Sequence, residues 1–487
     1  MELSGAVRSP LDAVRRKGWA SLLTAGDPLE RAFLAAALVL ALTRLVGLSR
    51  WSLWLDEAFT LADARHGYPL SNPIGYVLFR ELYGLVPGRP DELWLRLPAA
   101  VLGLLSIPAT AWALRPSFGA RASSLAAFFV AASPWHLYWS QNARFYTLAQ
   151  VLLLAGAGLL LRGLARGSPR RTGWGILCLF LAPLAHPSAA LVSLPLIFLP
   201  WVPRWLEWIP IQRDKSWRYL STATYAAVLF GSGWALRRLS IWDARQGEGD
   251  LAHFLKTSGY WFTPTVGVTF LLGARNAWRD REAFVPLYAT LVALVVAALL
   301  ALFVRVSAQY VFVVLPWVAA VAGLAFRYAG EGDETSWARR RRALLALAVA
   351  LPGLVESGLY FVVRHGDRPR WREAYAYVYD HREPDDLVLG MEAPVAEFYL
   401  DPHADDLRDW KHVVWLDNHD LRARLPSDWA RYGRRLWLVV NEEQLEDWDA
   451  DKRADMRRIL DEECRLVARF DVPLTPRDLD VLVYTTR

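Results

Sequence analysis

RAFLAAALVLALTRLVGLSRWSLWLDEAFT, residues 31–60, joins an apolar block long enough to cross a bilayer to two adjacent carboxylates, Asp56 and Glu57. A solvated loop would account for such a pair. So would acids at a helix start, where they complement the positive end of the helix dipole. A site at the membrane surface is the other reading, and the choice turns on which other polar residues lie at the same side and depth.

The rest of the chain repeats the apolar half of that pattern. Of the 487 residues 54% are hydrophobic, and as far as residue 363 they fall in blocks of about 17 to 22 separated by short Arg-rich connectors. A soluble chain of this length would instead alternate strand and helix periods with polar loops. The expected fold class is therefore mainly α, a polytopic membrane protein with a small α/β domain at its carboxyl end. Spans are predicted at residues 31–49, 96–114, 122–140, 147–161, 172–187, 188–203, 219–236, 260–274, 284–304, 308–326 and 343–363, eleven in all.

Three regions follow. Residues 1–30 carry Arg8, Arg15, Arg16 and Lys17 around Leu11, Val14, Trp19 and Leu22, a basic amphipathic segment suited to the cytoplasmic membrane surface. Residues 31–363 form the transmembrane domain, whose first span has no small-residue cleavage site and reads as retained. Residues 364–487 turn abruptly polar and acidic, about 120 residues and enough for one small domain. There, 387–389, 436–440 and 481–484 read as strands, and 371–380 and 451–462 as helices.

Charge sets the orientation. The net charge of +6 is distributed between apolar blocks and not along a soluble face, so it points to membrane topology and away from a nucleic-acid partner. Arg115 and Arg121, Arg162 to Arg171, Arg204 to Arg218, Arg275 to Arg281 and Arg339 to Arg342 mark one side as cytoplasmic. Asp56, Glu57, the Gln141–Tyr146 turn, His186, the 237–259 loop, the Arg305–Tyr310 turn and the tail then face the extracytoplasmic side of the plasma (inner) membrane. The two cysteines, Cys178 in an apolar block and Cys464 in the tail, suit neither a structural disulfide nor a thiolate metal site.

Polar residues in or beside spans are costly unless they face a cavity, a partner or the interface. Here they converge on one side: Asp56 and Glu57, then Ser140, Gln141, Asn142, Arg144 and Tyr146, then His186, then Arg305, Gln309 and Tyr310. Arg144 also fits a snorkelling interfacial arginine, and His186 a turn residue before Pro187. Trp135, Tyr138 and Trp139 fit an interfacial aromatic belt. Taken as a set, the acids suit accepting a hydroxyl proton or holding a divalent cation, and the arginines suit neutralising a phosphate.

The ordered stretches LWLDEAFT (53–60), NPIGYVLF (72–79), QNARFYTL (141–148), LAHPSAALV (184–192), RVSAQYVFVVLPW (305–317) and PRWREAYAYV (369–378) resemble the GT-C membrane glycosyltransferases. More narrowly the chain is similar to family-39-type enzymes, which use polyprenyl-phosphate sugar donors on the outer face. The resemblance implies Asp56 as general base for an acceptor hydroxyl, Glu57 as a supporting or metal-binding carboxylate for Mg or Mn, and Arg144 on the donor phosphate. Tyr146 and Arg305 join the donor contacts, and Gln141, His186, Gln309, Tyr310 and Asn72 are further site candidates. The acceptor is a protein, a lipid or a glycan. Many relatives have His-Pro-Pro-Leu-Tyr where this chain has Asn72-Pro73-Ile74-Gly75-Tyr76, which puts metal dependence in question; His66 and His186 are the substitutes on offer. A transporter or flippase of lipid-linked sugars would need similar polar residues between helices, but the paired halves of such folds are not visible. A scaffold built on the acidic outer domain leaves the Asp56, Glu57 and Arg144 coincidence without a role.

Overall fold

A computed structural model of the chain describes residues 28–66, 72–202, 215–243, 249–326, 335–401, 403, 407, 411–416, 435–475 and 477–486. The basic amino-terminal segment expected at 1–30 lies almost wholly outside them. The described residues fall into two compact units. One takes residues from Met1–Arg44, Val101–Ser140 and Phe145–Val355, the other from Leu45–Ala100, Gln141–Arg144 and Glu356–Arg487. The sequence division at residue 363 is contiguous; the units are not, since Gln141–Arg144 and the whole of Leu45–Ala100 group with the tail.

The first unit is built of helices that are apolar on two faces. Along Pro264–Arg279 the inward stripe is Val266, Thr269, Phe270, Gly273 and Ala277, at the spacing of one helix face, yet Val268, Leu271 and Leu272 on the other side are more than half exposed. A helix in water would place polar residues there; one in lipid need not. Small residues let these helices approach closely. A Cβ on Gly175 of Pro169–Ala185 would stand 2.6 Å from the Leu160 nitrogen of Tyr146–Ala165, and one on Gly273 would stand 1.8 Å from the Val321 carbonyl oxygen of Leu315–Leu324.

Among the described residues four helices are long and apolar enough to cross a membrane: Glu92–Ala132, Tyr146–Ala165, Ala283–Leu300 and Ser336–Val362, with the shorter apolar stretches Pro187–Ile197 and Ala308–Leu324. The eleven expected spans all overlap helices, but most are too short or too interrupted to meet that test. The blocks 96–114 and 122–140 are a single element, Glu92–Ala132, bent where Gly119 takes a left-handed φ of 76°, and Pro134 opens a separate helix, Pro134–Ser140. The stretch expected as a loop at 237–259 is partly helical: Lys215–Asp243 runs into it and Leu251–Trp261 closes it. The block 260–274 is broken before Pro264, where Thr263 has a φ of 59°.

The second unit contains a five-stranded sheet in the order β2-β1-β3-β5-β4, with β1 Leu387–Gly390, β2 Val414–Trp415, β3 Leu436–Asn441, β4 Cys464–Phe470 and β5 Val481–Thr486. β1 pairs in parallel with β2 and β3, and β5 pairs antiparallel with β3 and β4. The central LWLVVN run of β3 is buried throughout, as a strand covered on both faces requires. Helices Trp371–His381, Ala393–Leu400, Glu442–Glu446 and Ala450–Glu462 complete the α/β part. Trp371 and Tyr375 are fully buried, and the Tyr375 hydroxyl donates to the Met391 carbonyl at 2.8 Å just past β1.

Candidate active site

The Asp56-Glu57 pair opens the helix Leu55–His66. Its first turn closes on the Trp54 carbonyl, which accepts from the Glu57 N–H at 2.9 Å and the Ala58 N–H at 3.2 Å. Glu57 then returns the bond: its Oε2 accepts from the Trp54 N–H at 3.1 Å, the reciprocal arrangement in which a third-position Glu caps its own helix. Successive residues of a helix point about 100° apart. Glu57 therefore turns inward and is fully buried, whereas the Asp56 side chain stays 33% exposed.

Glu57 is the hub of a buried ionic network. Its Oε1 accepts from Arg96 Nε at 2.8 Å and from the Ala143 N–H at 2.9 Å, and its Oε2 accepts from Arg96 Nη2 at 2.7 Å. Arg368 Nε lies 3.6 Å from the same Oε2. Burial alone would push the Glu57 carboxyl up; the Arg96 and Arg368 guanidiniums and the Ala143 N–H outweigh it and hold it below the usual carboxylate range. Other donors of the arginines go to backbone, and Arg368 Nη1 also donates to the Tyr360 hydroxyl at 3.1 Å. Arg96 binds the carbonyls of Leu48, Trp51 and Ser52, and Arg368 those of Gly366 and Gln141.

Gln141 is bound into the same network. Its Oε1 accepts from Trp51 Nε1 at 3.2 Å and from the Tyr360 hydroxyl at 3.0 Å, and its Nε2 donates to the Val46 carbonyl at 2.7 Å. Trp51 packs closely on the turn that delivers Arg368: a Cβ on Gly366, whose φ is 67°, would stand 2.7 Å from the Trp51 ring. Glu57, Gln141 and the two arginines therefore hold four backbone segments together.

Asp56 and Arg144 stand outside that hub. Arg144 Nε is 3.8 Å from Asp56 Oδ2, and its Nη1 donates to Thr60 Oγ1 at 3.0 Å and to the Asp56 carbonyl at 3.3 Å. Among the described residues no hydrogen bond reaches the Asp56 carboxylate, so its lone pairs are available to a ligand. Arg144 is mostly buried, yet this charge pair borders solvent. Nearby in the same unit Asn72 precedes the helix Pro73–Tyr83 without capping it by its side chain, and the Tyr76 hydroxyl donates to Asp63 at 2.9 Å.

The other sequence candidates belong to the first unit. The Tyr146 ring lies 4.1 Å from the His186 ring, centroid to centroid, and His186 stacks on Tyr310 at 6.4 Å. His186 Nδ1 is engaged by Ser188, at 2.8 Å to its hydroxyl. Arg305 is exposed, and Gln309 and Tyr310 are half-buried in the turn that leads to Leu315–Leu324. The structure thus gathers Asp56, Glu57, Asn72, Gln141 and Arg144 in one unit and Tyr146, His186, Arg305, Gln309 and Tyr310 in the other.

Sequence reasoning missed Arg96, and did not single out Arg368 or Tyr360. A signal for Arg96 was present, since a charged residue inside the apolar run LWLRLP is costly without a partner. Among the described residues no three His, Cys, Asp or Glu side chains come together, and Glu57 has both oxygens engaged by cationic and backbone donors.

No family model matches the chain, and no curated protein sequence matches it. Solved structures do. ArnT from Cupriavidus metallidurans bound to undecaprenyl phosphate is 17% identical, with a TM-score of 0.51, and the alignment covers 93% of this chain and 97% of that one. The Archaeoglobus fulgidus oligosaccharyltransferase in its apo form is 11% identical, with a TM-score of 0.59, covering 85% and 70%. The same archaeon's AglB, in complex with an inhibitory peptide and a dolichol-phosphate, is 13% identical, with a TM-score of 0.51, covering 78% and 60%. At these identities the likeness concerns architecture, and it agrees with the apolar helices and the small terminal sheet: the chain has the fold of the GT-C membrane glycosyltransferases.

Proposed function

We propose that the chain is a membrane glycosyltransferase that transfers a sugar from a polyprenyl-phosphate donor to an acceptor hydroxyl. The acceptor is a protein, a lipid or a glycan. The observation that carries this reading is the solvent-bordering Asp56 carboxylate, free of hydrogen bonds from described residues, with the Arg144 guanidinium 3.8 Å away. The fold adds support, since solved structures that share it hold undecaprenyl phosphate and a dolichol-phosphate. The eleven spans, with the Asp56 turn and the carboxyl-terminal domain on the extracytoplasmic side of the inner membrane, belong to the same proposal.

The proposed reaction is a single displacement. Asp56 takes the proton of the acceptor hydroxyl as its oxygen attacks the anomeric carbon. The bond from that carbon to the phosphate oxygen breaks, and polyprenyl phosphate leaves with the electron pair. Arg144 offsets the charge that builds on the phosphate, as charge-assisted bonds from a guanidinium do. Attack opposite the leaving group inverts the anomeric centre. Phosphate is stable as an anion, so no strong general acid is required. Glu57 and Arg96 act by fixing the turn on which Asp56 sits and by tying the Ala143 backbone, next to Arg144, to that turn.

The test is a transfer assay in nanodiscs with radiolabelled polyprenyl-phosphate sugars and membrane extract as acceptor. Labelled product with release of polyprenyl phosphate supports the reading. Labelled donor that crosses the bilayer without sugar transfer points to a flippase.

A further inference from the structure

A third acid lies against the helix that carries Asp56. Glu392 lies two residues past the end of β1 and adopts a left-handed backbone, φ 56° and ψ 52°, which a side chain with a Cβ rarely takes. Backbone bonds hold it there. The Met391 N–H donates to the Val439 carbonyl and the Met391 carbonyl accepts from Tyr375, while the Glu392 carbonyl starts the helix Ala393–Leu400 by accepting from Val395 and Ala396. The conformation sends the side chain inward, where only 2% of the residue is exposed.

The contacts of that carboxyl are lopsided. Its Oε1 accepts from the Gln444 side-chain amide, the Leu55 N–H at the start of the helix Leu55–His66 favours its charged form, and Tyr399 on the helix that Glu392 opens accepts from the Leu53 N–H at 2.8 Å. Its Oε2 is buried with no hydrogen-bond partner among the described residues. A carboxylate there would leave a charged oxygen unsatisfied, whereas an acid would leave only a hydroxyl. The charged and titratable groups around it balance poorly. Asp56 opposes a second negative charge from the Leu55–His66 helix, and Tyr375 is buried on the Trp371–His381 helix. Arg477, which favours the charge, is drawn to Glu443 at 3.6 Å. Glu397, on the following helix, is committed to the His412 N–H at 2.6 Å and the His412 ring.

We propose that Glu392 is a positioning residue for Asp56: as a neutral acid it backs the segment that opens the Leu55–His66 helix, and its ionisation would set a second negative charge beside the base. This inference rests on the reading of Asp56 as the catalytic base. Burial pushes the Glu392 carboxyl up to about 8, against the pull of Gln444, with Asp56 adding to the rise. Ionisation above that pH adds a second negative charge to the surroundings of the Asp56 carboxylate.

Full-length wild type and Glu392→Gln in nanodiscs are compared from pH 6 to pH 9.5, by thermal midpoint and by transfer from a polyprenyl-phosphate sugar. In wild type the midpoint falls from pH 6 to about 8 and levels off above it, and kcat/KM drops about tenfold per pH unit above about 8. In Glu392→Gln, which keeps the shape without the charge, both the fall and the drop are absent. Gln444→Met removes a donor that favours the charged form, so it moves the inflection to higher pH and keeps the proposal testable if Glu392→Gln does not fold. Identical pH profiles in wild type and Glu392→Gln overturn the proposal, as does a change confined to the thermal midpoint. No transfer by wild type at any pH overturns the glycosyltransferase reading instead, and the midpoint series still reports on the anchor.

Discussion

Arg96 grips Glu57 with two nitrogens, Nε at 2.8 Å and Nη2 at 2.7 Å, and both side chains are fully buried. The pair spans 39 residues of sequence, and through the Ala143 N–H it also fixes the segment that bears Arg144. It divides the work of two neighbouring acids. Glu57 belongs to the framework, whereas Asp56 keeps the solvent-bordering carboxylate on which the proposed chemistry rests.

Breaking this pair is expected to be expensive. Removing one partner of a buried ion pair leaves an uncompensated charge and costs about 3–5 kcal/mol. Arg96→Met and Glu57→Gln should each lower the thermal midpoint in detergent strongly. The double substitution should lose less than the sum of the two, because neither charge is then stranded.

How far the sequence reveals this arrangement depends on the range of the interactions. β1, β3 and β5 and the helices Trp371–His381 and Ala450–Glu462 were legible because short apolar runs and helical spacing are local properties. β2 was not, having only two residues. β4 was not either, because CRLVARF carries two arginines and lies at the sheet edge with its outward residues exposed. Asp56 and Arg144 stood out as polar residues in ordered motifs. The bond from Arg368 to the Gln141 carbonyl joins residues 227 apart, and nothing local announces it.

Arg144 is predicted to act on donor binding. Arg144→Lys keeps the charge but loses the planar guanidinium, whose Nη1 bonds Thr60 and the Asp56 carbonyl while its Nε stands 3.8 Å from the Asp56 carboxylate. Steady-state kinetics should show KM for the lipid-phosphate donor raised by about tenfold or more, with a smaller change in kcat. A variant with normal donor KM would remove Arg144 from the phosphate.

Asp367 gives a pH signature of stability. Burial raises its carboxyl to about 6, although Arg364 pulls the other way. An acid whose folded value is raised holds its proton more tightly in the native state. Its contribution is therefore most favourable below the unfolded value near 4, and it is lost as pH climbs to about 6. Asp367→Asn removes the penalty and suits the left-handed φ of 53° at this position. Its thermal midpoint should exceed that of wild type at pH 7.5, with the gain shrinking toward pH 4.

The most direct measurement compares Asp56→Asn with Glu57→Gln in the same preparation, reading the thermal midpoint and the initial rate of sugar transfer from a polyprenyl-phosphate donor. Asp56→Asn should keep the wild-type midpoint and lose about 10²–10⁴ in rate, the usual contribution of a general base, whereas Glu57→Gln should lose stability first. An Asp56→Asn protein that transfers sugar at the wild-type rate would contradict the assignment of Asp56 as the base.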